Sequence, residues 1–384
     1  MTEGLFAALD RALASPSPAG ALDLLIAEFR EGGSYALLFE ARNMKKRLEL
    51  GLPLIQTEDS STFPAEARAA YEQAMIEAAR EAGELYLAAG NIPAGYRYLR
   101  AIGETAAVAD ALEQAQPGDD VEAVVAIAFQ EGVHPARGLE LILRQHGMCR
   151  AITAFGMYAV AKDRDRCIRL LVTELHAEIA GRMARVIEQQ EGSKPDARNL
   201  PALMSGRDWL FGEYDYYVDT SHLTSLLPYA LETTDAATLQ LFGELCEYGR
   251  HLSPNFHFKD QPPFEDGYTD YGCFVDAVLG RDAGRQIEHF RRKAEACDPE
   301  ADGTNPAQVL VNLLVRLERY ADALEAFQQF LASEDPARLQ CPGALHLCHM
   351  AKQYDRLRLL ARERGDLLSY AAASLSERVP PGTV

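Results

Sequence analysis

The chain has 384 residues, 48% of them hydrophobic, and a formal charge of −19 at pH 7. That length suits two ordinary domains or one elongated array of repeats, and the apolar content excludes global disorder. The negative charge excludes a nucleic-acid backbone or an anionic membrane surface as partner, while cationic ligands, divalent metals and basic peptides stay open.

The N-terminal MTEGLFAALDRALASPSPAG has no basic n-region, so no signal peptide is expected. No apolar run approaches the roughly 20 residues of a membrane span. Seven scattered cysteines without a C-x-x-C pair predict a reducing, cytoplasmic setting rather than a disulfide framework.

Helical spacing of apolar residues begins at once, in LFAALDRALA and ALDLLIAEFREG, separated by the breaker SPSPAG. It continues through Ser34 to Leu50, and Gly51 to Pro64 reads as a loop. Ala65 to Ala89 predicts a long Ala-rich helix, stopped by Gly90 and Asn91, and Pro93 opens the next one in its first turn. Shorter helices follow in VADALEQA, DDVEAVVAIAFQEG and HPARGLELILRQHG. Asp163 to Gln190 predicts one unusually long helix, and EGSKPDARNLPALMSGRD a loop of about 18 residues, a length that tends to be functional or disordered. Regular helices are expected again near Asp276. The acidic linker CDPEADGTNP precedes the last repeats, and SERVPPGTV reads as a frayed tail. Alternating β-branched runs are absent, so the expected class is all-α.

YLAAGNIPAGYRYLRAIGE resembles the turn and second helix of a tetratricopeptide-like repeat. RLERYADALEAFQQFLA and MAKQYDRLRLLARERGD align with Tyr320 and Tyr354 in the same place, 34 residues apart, the period of that family. The family's early Trp, Leu-Gly pair and late Pro are not intact in either copy. The resemblance implies a right-handed stack of antiparallel helix pairs with a concave binding face, commonly used for proteins or peptides. Three regions follow: repeats over 1–162, the long helix and a central irregular insertion over 163–280, and repeats over 281–384.

The insertion centres on Trp209 to Phe274, where 14 of 66 residues are aromatic and 11 acidic side chains face two basic ones, Arg250 and Lys259. If YDYYVDTSHLTSLLPYALE is helical, Asp215, Asp219 and His222 share one stripe and could ligate a divalent metal or orient the imidazole as a base. Alternatively Asp219 or Thr220 caps a helix that starts at Ser221, which breaks the stripe. The proline-rich HLSPNFHFKDQPPFEDGYTDYGCF brings His251, His257, Lys259, Asp260, Glu265, Asp266 and Asp270 among aromatics. It reads either as a wall of a pocket or as an inert plug on the helical stack. His176 could join only a site built from other segments, because Glu174 and Glu178 point away from it on a helix. His134 and His146 suit helix ends. The four candidate ligands in CPGALHLCHM, Cys341, His346, Cys348 and His349, do not converge on a helix, which argues against zinc. Nucleotide-binding and serine-hydrolase motifs are absent.

Two functions remain open. In the first, an acidic, aromatic concave surface binds a protein, a peptide or another ligand, with Trp209, Tyr217, Phe258, Asp260 and Tyr268 in contact. In the second, His176, Asp219, His222, His251 and His257 hold zinc, manganese, iron or nickel for a metal-dependent enzyme or small-molecule binder.

Overall fold

The computed structural model describes residues 2–14, 19–55, 60–115, 121–157, 162–196, 199–301 and 303–376. The expected breaker at 15–18, loop positions 56–59, 197–198 and 302, and the tail after Ser376 lie outside the described residues. Among the described residues the regular elements are all helical, no strand occurs, and neighbouring helices pack in chain order. The chain divides into two compact units, Met1–Cys167 and Ile168–Val384.

The first unit holds α1 (Thr2–Leu13), α2 (Ala19–Glu31), α3 (Tyr35–Glu49), α4 (Ala65–Ala88), α5 (Ile92–Ala101), α6 (Ala106–Gln114), α7 (Val121–Val125) and α8 (Pro135–Met157). A π-turn over Ala126–Gln130 follows α7, and α8 is broken at Gly147, where φ is 79°. Small residues bring α4 and α5 together. A Cβ on Gly83 would lie 2.6 Å from Leu99 Cγ, and one on Gly95 would lie 2.7 Å from Leu87 Cδ2, so each leucine fills the space the opposite glycine leaves. Ile92, Tyr96 and Leu99 of α5 then pack with Val108 and Leu112 of α6 and with Ile127 and Ala128 of the π-turn.

The second unit begins within α9 (Arg164–Glu191) and continues with α10 (Leu200–Met204), α11 (Thr220–Leu226), α12 (Ala236–His251), α13 (Gly267–Val278) and α14 (Ala283–Ala296). It ends with α15 (Asn305–Arg316), α16 (Tyr320–Phe330), α17 (Ala344–Met350), α18 (Tyr354–Glu363) and α19 (Leu367–Ser376). Leu171, Leu175, Ile179, Met183 and Ile187, all fully buried, follow helical spacing and define the inner face of α9. Each such side chain contributes about 1.5–3 kcal/mol relative to exposure.

One turn recurs between helices. A residue with positive φ sits two places after the last helical residue, the next residue's N–H bonds back five residues, and a new helix starts immediately. Gly33, Gly90, Glu318, Lys352 and Gly365 occupy that place, with Ser34 N→Phe29 O, Asn91 N→Tyr86 O, Arg319 N→Leu314 O, Gln353 N→Cys348 O and Asp366 N→Ala361 O. This is a Schellman closure of the first helix leading straight into the second. Glu318 and Lys352 are 34 residues apart, as are Tyr320 and Tyr354, which begin α16 and α18. The period read from side chains is therefore also a period of backbone geometry.

The central stretch is more regular than expected. Asp235 caps α12, accepting the Thr238 N–H at 3.0 Å, and Asp266 accepts the Thr269 N–H at 3.4 Å, so α13 starts at Gly267 and not near Asp276. The expected loop before Trp209 contains α10, because Asn199 accepts the Ala202 N–H at 2.9 Å, Pro201 occupies the first turn, and Leu200, Leu203 and Met204 are buried.

Candidate functional site

The five residues expected as metal ligands do not converge. His176 of α9 is buried, and its Nε2 lies 2.8 Å from Glu244 Oε2 on α12, which also accepts the Leu200 N–H at 3.0 Å. That carboxylate fastens α9, α10 and α12 to one another and engages the Nε2 of His176. Asp219 is the cap of α11: its Oδ1 accepts the Ser221 N–H at 2.9 Å, and these bonds to Ser221 hold its carboxyl below the usual value. Asp215 and Asp219 consequently precede the helix and share no stripe with His222. His222 keeps Nδ1 buried without a hydrogen-bond partner. His251 Nδ1–H donates to the Glu247 carbonyl at 2.9 Å, with its ring 5.3 Å from that of Phe211. His257 Nε2–H donates to the Leu252 carbonyl at 3.1 Å. Among the described residues, no group of three or more His, Cys, Asp or Glu side chains is placed to hold a metal ion.

Three of the five expected contact residues are occupied structurally. Tyr268 is fully buried against Gly249, whose added Cβ would lie 2.2 Å from the ring, and its hydroxyl donates to the Phe256 carbonyl at 3.3 Å. Phe258 covers Gly267 and meets Tyr268 edge-on at 5.0 Å. Asp260 accepts the Tyr271 hydroxyl at 2.8 Å. Nearby, Asp270 accepts from His289 at 2.7 Å, Lys293 at 2.8 Å and the Asp266 N–H at 2.8 Å. Burial opposes the Asp270 charge, but those three donors outweigh it and hold the carboxyl below its ordinary value.

Trp209 and Tyr217 stand differently, because both line a hollow of about 460 Å³ in the second unit. Arg182, Arg185, Val186 and Gln189 form one wall. Their spacing of three, four and seven residues puts them on one stripe of α9, beside its buried face. The other wall comes from a short 3₁₀ turn, Asp208–Leu210, and the loop after it, through Trp209, Asp215, Tyr216 and Tyr217. Internal bonds set the shape of that loop. Asp215 Oδ2 accepts the Gly212 N–H at 2.9 Å, the Tyr217 hydroxyl donates to the Leu210 carbonyl at 2.9 Å, and the Tyr217 N–H donates to the Tyr248 hydroxyl at 2.9 Å. Burial, with Asp215 nearby, pushes the Tyr217 phenol up to about 12, so it stays a neutral donor. Tyr216 leans on Phe256, ring centres 5.1 Å apart.

Two of the lining aromatics are open to solvent, Trp209 at 43% and Tyr216 at 54%, and Tyr214 on the same loop is 72% exposed. The guanidinium of Arg182 is paired with Glu178, one turn away on the same helix. Arg185 donates from Nε to the Gly181 carbonyl at 3.3 Å and meets no carboxylate among the described residues. Flat aromatic faces next to guanidinium groups form contact surface with little side-chain entropy to lose. Reading the sequence missed Arg182 and Arg185, which lie outside the aromatic stretch; the signal available was their shared stripe on α9. No known family model matches the chain, and no curated protein is similar to it.

Proposed function

We propose that this chain is a cytoplasmic helical-hairpin repeat protein, a right-handed stack carrying the Trp209–Phe274 stretch as an insertion, that binds a partner polypeptide. The partner lies across Trp209, Tyr214 and Tyr216 and enters the hollow beneath them. The carrying observation is that Trp209 and Tyr216, both exposed, line a preformed hollow, with the exposed Tyr214 on the same loop. Exposed aromatic surface rimmed by polar side chains is characteristic of interaction sites, and Trp, Tyr and Arg dominate their energetics. Hairpins sharing one turn geometry and packing in chain order support the repeat reading. Seven free cysteines fit a reducing compartment, and no helix among the described residues is long and apolar enough to cross a membrane.

A photo-crosslinking benzoylphenylalanine placed at Tyr214, the most exposed of the three, tests this in cells making the protein. A discrete protein adduct that disappears in the Trp209→Ala and Tyr216→Ala double variant is expected. Unchanged adducts in that variant, or none at all, would refute the reading.

A further inference from the structure

We infer that the hollow reads a carboxylate beside an aromatic side chain in the partner segment, so that this acidic protein uses a locally basic notch to select an acidic ligand. The inference rests on the partner-binding reading above and adds the chemistry of what is bound.

The charged groups in the notch decide the sign. A cation stacked on Trp209 or Tyr216 would share a hollow of about 460 Å³ with two guanidinium groups against the single carboxylate of Asp215, a net like-charge approach that works against a cation–π contact of about 0.5–2 kcal/mol. An anion meets the opposite situation. Among the described residues Arg185 has its fork free of carboxylates, and Arg182 is held by an exposed pair one turn away, of the kind worth about 0–1 kcal/mol and readily exchanged. Two planar forks on one stripe of α9 match the two oxygens of a carboxylate. Asp215, the one acid in the lining, already accepts the Gly212 N–H.

The same surroundings limit how much negative charge is tolerated. Asp215 lines the hollow, Glu178 pairs with Arg182, and the whole chain carries −19. A phosphorylated side chain or a nucleic-acid strand would meet that field with two or more charges, whereas an Asp or Glu side chain brings one. The remaining surface of the notch is flat: Trp209 and Tyr216 offer exposed ring faces, and Tyr217 closes the interior. One aromatic side chain fills that space, and offset or edge-on packing adds specificity.

Trp209 is the sole tryptophan, so its emission reports occupancy directly. The probes are three end-capped pentapeptides with a central phenylalanine flanked by glutamate, glutamine or lysine. The glutamate peptide is expected to bind at least about tenfold more tightly than the lysine peptide, with affinity falling as salt rises. Arg185→Glu is expected to abolish that preference or reverse it, and Arg185→Lys to retain part of it. Arg185 is exposed on a long helix, so neither change threatens folding. Equal binding of the three peptides, or preference for lysine, would overturn the charge inference alone. Failure of all three at about 1 mM, while Tyr214 still crosslinks a partner, would likewise overturn this inference and leave the broader reading standing. Loss of both signals would overturn both.

Discussion

Glu318 and Lys352 have φ of 57° and 55°, a region that costs an L side chain about 1–2 kcal/mol and glycine almost nothing. At the equivalent place in other turns stand Gly33, Gly90 and Gly365. Both charged side chains are exposed, and among the described residues neither makes an ion pair that would compensate for the backbone. Lys352→Gly is therefore expected to raise stability by about 0.5–1 kcal/mol, less than the full strain because glycine also loosens the unfolded chain. Gly90→Ala is expected to lower it by about 1 kcal/mol, although an added Cβ there meets open space. Urea midpoints of the two variants check both signs, and a gain from Gly90→Ala would sink the account of the turn. Residue-scale chemistry also explains why the histidines were poor guides to a site. His176 is satisfied by Glu244, 68 positions along the chain, and no local pattern announces a partner that distant. Asp219 was ambiguous between cap and ligand until the start of α11 at Thr220 decided it.

Single glycines show how sharply the hairpin elements are specified. Gly95 of α5 faces Leu87 and the Gly83 carbonyl of α4, and a Cβ would stand 2.7 Å from the first and 3.0 Å from the second. The leucine can shift but the backbone oxygen cannot, so Gly95→Ala is expected to cost about 1–3 kcal/mol by overpacking. Gly181, inside α9, has nothing within 4 Å of an added Cβ. Gly181→Ala should stabilise by up to about 1 kcal/mol through helix propensity alone. Opposite signs for one chemical change, read by thermal or urea unfolding, are the expected result; destabilisation by both would mean that α9 is packed where it is now open. These elements were legible to different degrees. Apolar periodicity with Gly and Pro punctuation marked the hairpins from α2 to α6 and from α15 to α18. NLPALM carried the signals of α10, an Asn cap and a Pro in the first turn, yet a stretch dense in Gly, Pro and charge reads as loop on average. The hollow was half legible: composition pointed to Trp209 and Tyr217, but only the course of α9 brings Arg182 and Arg185 opposite them.

Electrostatics at the scale of the whole molecule sets two opposed trends with pH. The formal charge of −19 at pH 7 makes self-repulsion oppose folding, and proton uptake relieves it as pH falls. At acid pH the hydrogen-bonded carboxyls dominate. Glu104, Glu113, Glu191, Asp219, Asp235, Asp270 and Asp366 all sit below their ordinary values, most of them through hydrogen bonds from Arg, Ser or Thr side chains, and Asp270 against its own burial. A carboxyl whose folded pKa is depressed contributes stability that is complete above its unfolded value, near 4, and is lost as pH falls through the folded value. The exposed members contribute little each, since solvent screens them. Asp270 is 1% exposed and has both His289 and Lys293 to lose, so it should dominate the acid limb. Tm in low salt is therefore expected to peak at about pH 5–6 and to fall steeply below about pH 4. Added salt should flatten the neutral side, where repulsion acts over a Debye length, and leave the acid limb nearly unchanged. Asp270→Asn should lower Tm at neutral pH and shrink the acid limb. A variant that keeps the full acid limb would place the controlling carboxyl elsewhere.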